Sequence, residues 1–136
     1  LIESPVGPDG HSDADVLIHA LMDALLGAAG LKDIGYYFPP EDDAYKGISS
    51  MILLKHVNSL LKERGLEAYN IDIMVISETP KLKPHIDTMK ANLQSVLEIP
   101  LDRISIKATT NEMLGAIGRR EGIAAQAVVS VYEGEV

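Results

Sequence analysis

His11, Asp13, Asp15, His19 and Asp23 make up the densest cluster of metal-ligating side chains in the sequence. Asp15, His19 and Asp23 recur every four residues, which stacks them on one stripe of a helix. Imidazole and carboxylate suit zinc or another divalent ion, and ligands one helical turn apart can share a site. A plainer use of the same residues is also open. Asp13 and Asp15 would cap a helix start, where carboxylates meet free N–H groups and the positive end of the dipole, and His19 would be a satisfied core histidine.

A second group of this kind is "KATTNEMLGAIGRREG", in which Thr109, Thr110, Asn111 and Glu112 follow an alternating stretch. Hydroxyls and free backbone N–H groups at a strand-to-turn junction can cradle phosphate oxygens, and Glu112 can hold a hard cation bridging them. Capping of a helix by Thr110 or Asn111 is the structural alternative. In "KDIGYYF", Asp33 stands beside Gly35, a carboxylate where backbone can approach a diol closely; turn statistics favour an ordinary Asp-x-Gly turn. Lys81 and Lys83 follow a strand end in "SETPKLKP" and default to a solvated loop. His56 and His85 lack carboxylates at helical spacing and read as structural.

The elements that must position these residues follow from periodicity and punctuation. A first helix is predicted over residues 13–29, with Asp13 as N-cap, Gly30 as the stop and Leu17, Leu21 and Leu25 on its apolar face. Gly35, Pro39 and Pro40 argue against regular structure through 31–47, and residues 36–47 have the acidic, aromatic character of a surface flap. Ser49 or Ser50 caps a second amphipathic helix, with Met51, Leu54, Val57 and Leu61 on one face and Gly65 at its end. Residues 70–77 form a strand whose near-continuous apolar content predicts burial on both faces. Pro84 suits the first turn of a third helix reaching Leu97. Residues 103–110 and 123–133 are strands, separated by a glycine-punctuated turn. The order predicts an α+β sandwich with helices on one face of a sheet.

With 136 residues the chain is one domain, long enough to bury a core without staples. Its lack of cysteine excludes disulfides, thiolate zinc sites and cysteine nucleophiles. The net charge of −8 and the absence of a basic stripe argue against nucleic acid as a partner. No apolar run approaches a membrane span, and no stretch reads as a signal peptide. The uncovered sheet face, with the small residues Ala124, Ala125 and Ala127 in the last strand, leads us to expect an oligomer.

"HSDADVLIHALMDALLGAAGLKDIG", "FPPEDDAYKG", "PKLKPHI" and "KATTNEMLGAIGRREGIAAQAV", in that order, resemble the 2-C-methyl-D-erythritol 2,4-cyclodiphosphate synthase family. The resemblance implies one synthase-like domain over 1–136, with helices on one face of a four-stranded mixed sheet and sheets packed together in a homotrimer. It also implies conversion of 4-diphosphocytidyl-2-C-methyl-D-erythritol 2-phosphate to the cyclic diphosphate. The 2-phosphate attacks the β-phosphate in line and CMP leaves, with metals acting as Lewis acids and templates.

Carried over by residue, His19 corresponds to a zinc ligand. His11 and Ser12 contact the 2-phosphate, with His11 also steadying the transition state. Asp33 and Gly35 hold the erythritol hydroxyls, and Phe38 and Asp42 bound a flap over the substrate. Ser77, Pro80, Lys81, Leu82 and Lys83 lie in the loop that receives cytosine. Thr109 and Thr110 contact the diphosphate, Thr110 with a catalytic role. Glu112 is the ligand of a second ion, magnesium or manganese. Arg119 faces a central cavity where an isoprenoid diphosphate binds.

The implied zinc site needs further ligands from an Asp-x-His element, which none of the ten residues before His11 supplies; a segment upstream of this chain is expected to carry it. Asp13 and Asp15 would then orient the histidines or rigidify the helix start. Pro40 stands where the family usually has a flap carboxylate, and Ala116 where it commonly has phenylalanine near the cavity. Two other readings use the same residues: a metal-dependent phosphohydrolase, and a non-catalytic ligand-binding trimer. The expected compartment is the cytoplasm, or a plastid for a plant or apicomplexan source.

Overall fold

The buried stripe of the first helix organises the molecule: Leu17, Leu21, Met22, Leu25 and Leu26 have no exposed surface. The structure, a computed structural model, describes residues 8–39, 49–77, 83–110, 112–118 and 123–134, with side chains from Ala14 onward. Helix α1 spans Pro8–Ala28 and so begins before the predicted residue 13. Pro8 has the fixed φ of a first helical turn and lacks an N–H that such a turn leaves unused. Asp13 therefore lies inside the helix and is not its N-cap. Gly30, at φ +73°, closes it as predicted, and the Leu31 N–H reaches back to the Leu26 carbonyl at 2.8 Å.

The stretch expected to be irregular contains a short helix, α2 (Ile34–Tyr37), N-capped by Asp33. Helix α3 (Ser50–Glu63) is capped by Ser49, whose Oγ accepts the Met51 N–H at 3.2 Å, and Gly65 at φ +74° follows its end. Leu54, Val57 and Leu61 are fully buried, and the buried Asn58 donates to the Val96 carbonyl at 3.3 Å, tying α3 to the next helix. That helix, α4 (Ile86–Leu97), follows a single 3-10 turn, Lys83–His85, that holds Pro84. Glu98, left-handed at φ 57°, ends it. A last short helix, α5, covers Gly115–Gly118.

Three strands form one mixed sheet in the order β2-β1-β3. Strand β1 (Leu66–Ile76) is central, pairing parallel with β2 (Ile104–Thr109) and antiparallel with β3 (Ala124–Glu133). The described residues thus hold three strands, not the four implied by the resemblance. Ile71, Ile73, Val75, Ile104 and Ile106 point to the helices and are buried, with Ala125, Ala127, Val129 and Val131 packed beside them.

Strand β1 is buried on this face only, a correction to the two-sided burial expected from its composition. The other face carries half-buried Asp72, Met74 and Ile76, because no helix of the described residues covers it. Lys107 lies 2.9 Å from Asp72 there, while Val128 on the same face is 70% exposed. This uncovered face is thus mixed in character. Among the described residues no helix is long and apolar enough to cross a membrane.

Candidate functional site

His19 is exposed on α1, which removes the reading of a satisfied core histidine. The carboxylates one turn to either side of it have separate partners. Asp15 Oδ1 accepts the Ser50 hydroxyl at 2.8 Å, at the start of α3, and Asp23 Oδ1 accepts the Ile34 N–H at 3.0 Å, at the start of α2. The stripe therefore fastens two neighbouring elements to α1 and leaves the imidazole between them.

Asp15 was expected to orient a histidine or to stiffen the helix start; among the described residues it holds Ser50, the first residue of α3. Ser50 is buried, so removing its hydroxyl leaves the carboxylate without that donor. Ser50→Ala is expected to lower unfolding stability by about 1–2 kcal/mol. A double-mutant cycle with Asp15→Ala in urea should return a coupling of roughly 1 kcal/mol. Asp15→Asn keeps an acceptor and should cost little.

Asp33 caps α2 through its own side chain, which accepts the Tyr36 N–H at 3.1 Å. Gly35 lies within this turn and not at a left-handed corner. A methyl group built on it would meet only Asp33 Oδ1, at 3.7 Å. The backbone at Gly35 is thus open beside the Asp33 carboxylate, a geometry suited to a hydroxyl-bearing ligand. Lys32 covers the Tyr36 ring at 4.5 Å, and the Phe38 ring meets His56 edge-on at 6.0 Å. His56, read as structural, is exposed and packs on that ring; His85 is the half-buried residue before α4.

The second group gathers where the parallel strands β1 and β2 end. The Ser77 N–H donates to the Thr109 carbonyl at 2.9 Å, so Ser77 and the two threonines share one end of the sheet. Ligands of open sheets lie beyond the carboxyl ends of parallel strands. Ser77 is buried, whereas Thr109, Thr110 and Glu112 are exposed. The Thr109 hydroxyl donates to the Thr110 carbonyl at 3.4 Å, and Thr110 Oγ1 accepts the Glu112 N–H at 3.3 Å. Thr110 thus closes a turn and does not cap a helix, since α5 begins at Gly115. Glu112 and Met113 are both left-handed, at φ 52° and 62°, and the following Met113 and Leu114 side chains are 78% and 66% exposed. Consecutive non-glycine residues there cost on the order of 1 kcal/mol each, a strain found where a turn is held for function.

His11, Ser12 and Asp13 contribute backbone to α1, but their side chains lie outside the described residues. So do Asp42, Pro80, Lys81, Leu82, Asn111 and Arg119. Lys83 is described, exposed, on the 3-10 turn before α4. Among the described residues no three His, Asp or Glu side chains converge as a metal site. His19 offers one imidazole and Glu112 one carboxylate, on different elements, so neither completes a coordination sphere from these residues. The two groups also come from different elements. Helix α1 packs on β3, α3 and the central β1, while the threonines leave β2, which pairs with the other edge of β1.

The roles of Ser50 and Asp23 escaped the sequence reading. Adjacent serines before a helix signal a cap without saying which serine serves it, and Asp23 reaches a partner eleven residues away.

The same chain matches known proteins along nearly its whole length. The YgbB family model covers residues 1–132. The 2-C-methyl-D-erythritol 2,4-cyclodiphosphate synthase of Synechococcus elongatus is 58% identical over 127 residues, 93% of this chain and 79% of the relative. That of Synechocystis is 60% identical over 123 residues, 90% of this chain and 76% of the relative. Among solved structures, a bifunctional IspDF from Campylobacter jejuni superposes with a TM-score of 0.81 at 46% identity, covering 85% of this chain and 31% of the larger one. A Plasmodium falciparum IspF in complex with CDP gives 0.76 at 31% identity, covering 88% and 72%. The chain belongs to the YgbB family, alongside the 2-C-methyl-D-erythritol 2,4-cyclodiphosphate synthases.

Proposed function

We propose that this protein is a phosphorus–oxygen lyase that converts 4-diphosphocytidyl-2-C-methyl-D-erythritol 2-phosphate to 2-C-methyl-D-erythritol 2,4-cyclodiphosphate and CMP. An oxygen of the 2-phosphate attacks the β-phosphorus in line, and the bond from that phosphorus to the bridging oxygen breaks. CMP leaves with the bridging oxygen, so neither water nor a protein nucleophile is consumed. What the chain supplies is position and charge compensation. Asp33 and the open backbone at Gly35 receive the polyol hydroxyls. Ser77 begins the loop for cytosine, with Pro80, Lys81, Leu82 and Lys83 along it. Thr109 and Thr110 offer hydroxyls to the diphosphate. His11 and Ser12 take the 2-phosphate, and Phe38 and Asp42 bound the segment over it.

We assign His19 to a zinc ion and Glu112 to a magnesium or manganese ion, each as one ligand of a set that the described residues do not complete. Such ions, when bound, withdraw charge from the phosphoryl oxygens.

What supports the reading is the 58% and 60% identity to two cyclodiphosphate synthases, together with a polyol turn beside α1 and a diphosphate turn at the end of β2 that come from different elements. One substrate carries both groups, so a site shared between two copies unites them. The exposed Met113, Leu114 and Val128 support such packing, and a homotrimer is the assembly we infer. The test is complementation. Asp33→Ala and Thr110→Ala, each expected to be inactive alone, should recover CMP release when co-expressed, because mixed trimers contain one intact site. No recovery would place both groups in one subunit and remove the shared site.

Gly35→Ala tests the polyol turn. Alanine suits the helical backbone there, so stability should rise by about 0.5 kcal/mol. The added methyl fills the approach beside Asp33, and KM should rise about tenfold. Thermal melts and steady-state CMP release check both halves.

A further inference from the structure

The hydrogen bond from the Ile34 N–H to Asp23 Oδ1 has a consequence for substrate selection. Helix α2 is four residues long, far below the length at which a helix persists by itself. Its turn survives because its first N–H groups are capped. Tyr36 bonds to Asp33 Oδ1 at 3.1 Å from within the turn, and Ile34 bonds to Asp23 Oδ1 at 3.0 Å. The first cap fixes the Asp33 side chain to its own turn. The second fixes that turn to α1, one helical turn beyond His19.

A carboxylate accepting a backbone N–H is among the stronger hydrogen bonds available to a protein, and it is directional. Ile34 follows Asp33 directly, so the bond to its amide sets where Asp33 begins. We infer that Asp23 is a positioning residue: through Ile34 it holds the Asp33–Gly35 turn in register with the His19 face of α1, and so governs recognition of the substrate's polyol portion. This rests on the proposed assignment of Asp33 and Gly35 to the polyol hydroxyls. Asp23 itself touches no substrate atom in this account.

The test uses the full-length protein and its Asp23→Ala, Asp23→Asn and Asp33→Ala variants, with CMP release, zinc content, CDP binding and amide exchange of Ile34 as readouts. Asp23→Ala should raise KM about tenfold while kcat stays within about threefold, since alignment of the polyol is lost and charge compensation at phosphorus is not. Zinc content and CDP affinity should hold. The Ile34 amide should exchange faster. Asp23→Asn keeps an oxygen acceptor and should restore both KM and slow exchange.

An Asp23→Ala enzyme with unchanged KM would overturn the inference. So would loss in the alanine and asparagine variants alike, which would make the carboxylate charge itself the requirement. If the parent protein releases CMP and Asp33→Ala releases it equally well, the polyol assignment fails and takes this inference with it. If the parent protein releases no CMP, the reaction assignment fails first, and Ile34 exchange still reports whether Asp23 holds the turn.

Discussion

Replacing His19 with alanine is expected to reduce CMP release by a hundredfold or more, roughly the cost of removing one preorganised electrostatic group at the reacting centre. The fold should not notice. His19 is exposed, so unfolding stability should stay within about 0.5 kcal/mol of the parent. The two measurements together are decisive, since a structural histidine would show the reverse pattern. Metal analysis adds a third arm: bound zinc should fall in the variant if the imidazole is a ligand. Full activity in His19→Ala would remove this residue from the site.

Leu21→Ala, two residues along the same helix, should do the opposite. Leu21 has no exposed surface and belongs to the core cluster that α1 shares with the sheet and α3. Deleting its isobutyl group removes buried area and leaves a cavity, for an expected loss of roughly 3 kcal/mol. That is a large fraction of the stability of a domain of this size. Urea unfolding should show a lower midpoint with an unchanged slope. CMP release measured well below the melting temperature should remain close to normal, because the polar stripe faces away from the lost side chain. A loss below about 1 kcal/mol would contradict the packing described for α1.

How far the sequence could be read differs from element to element for physical reasons. The apolar face of α1, the stops at Gly30 and Gly65 and the cap at Ser49 are local signals, and they match the structure. Helix α2 was missed because Gly35 and Pro39 read as punctuation, while the bond that anchors it comes from Asp23, eleven residues upstream. No local pattern encodes that. The alternation of Asp72, Met74 and Ile76 was masked by the apolar character of the last two, so one-sided burial looked two-sided. At the site, the spacing of Asp15, His19 and Asp23 announced a shared stripe. Only the fold distinguished their uses: two carboxylates spent on Ser50 and Ile34, and one imidazole left open. The left-handed Glu112 and Met113 carried no sequence signal, since glycine is the usual residue at such angles.

The most direct test of the account is phosphorus NMR of 4-diphosphocytidyl-2-C-methyl-D-erythritol 2-phosphate incubated with the full-length protein, zinc and magnesium. The predicted result is loss of the substrate signals with equimolar appearance of CMP and a cyclic diphosphate. Release of inorganic phosphate would contradict it in favour of hydrolysis. Substrate left intact while the protein still binds CDP would mark a ligand-binding assembly without this chemistry.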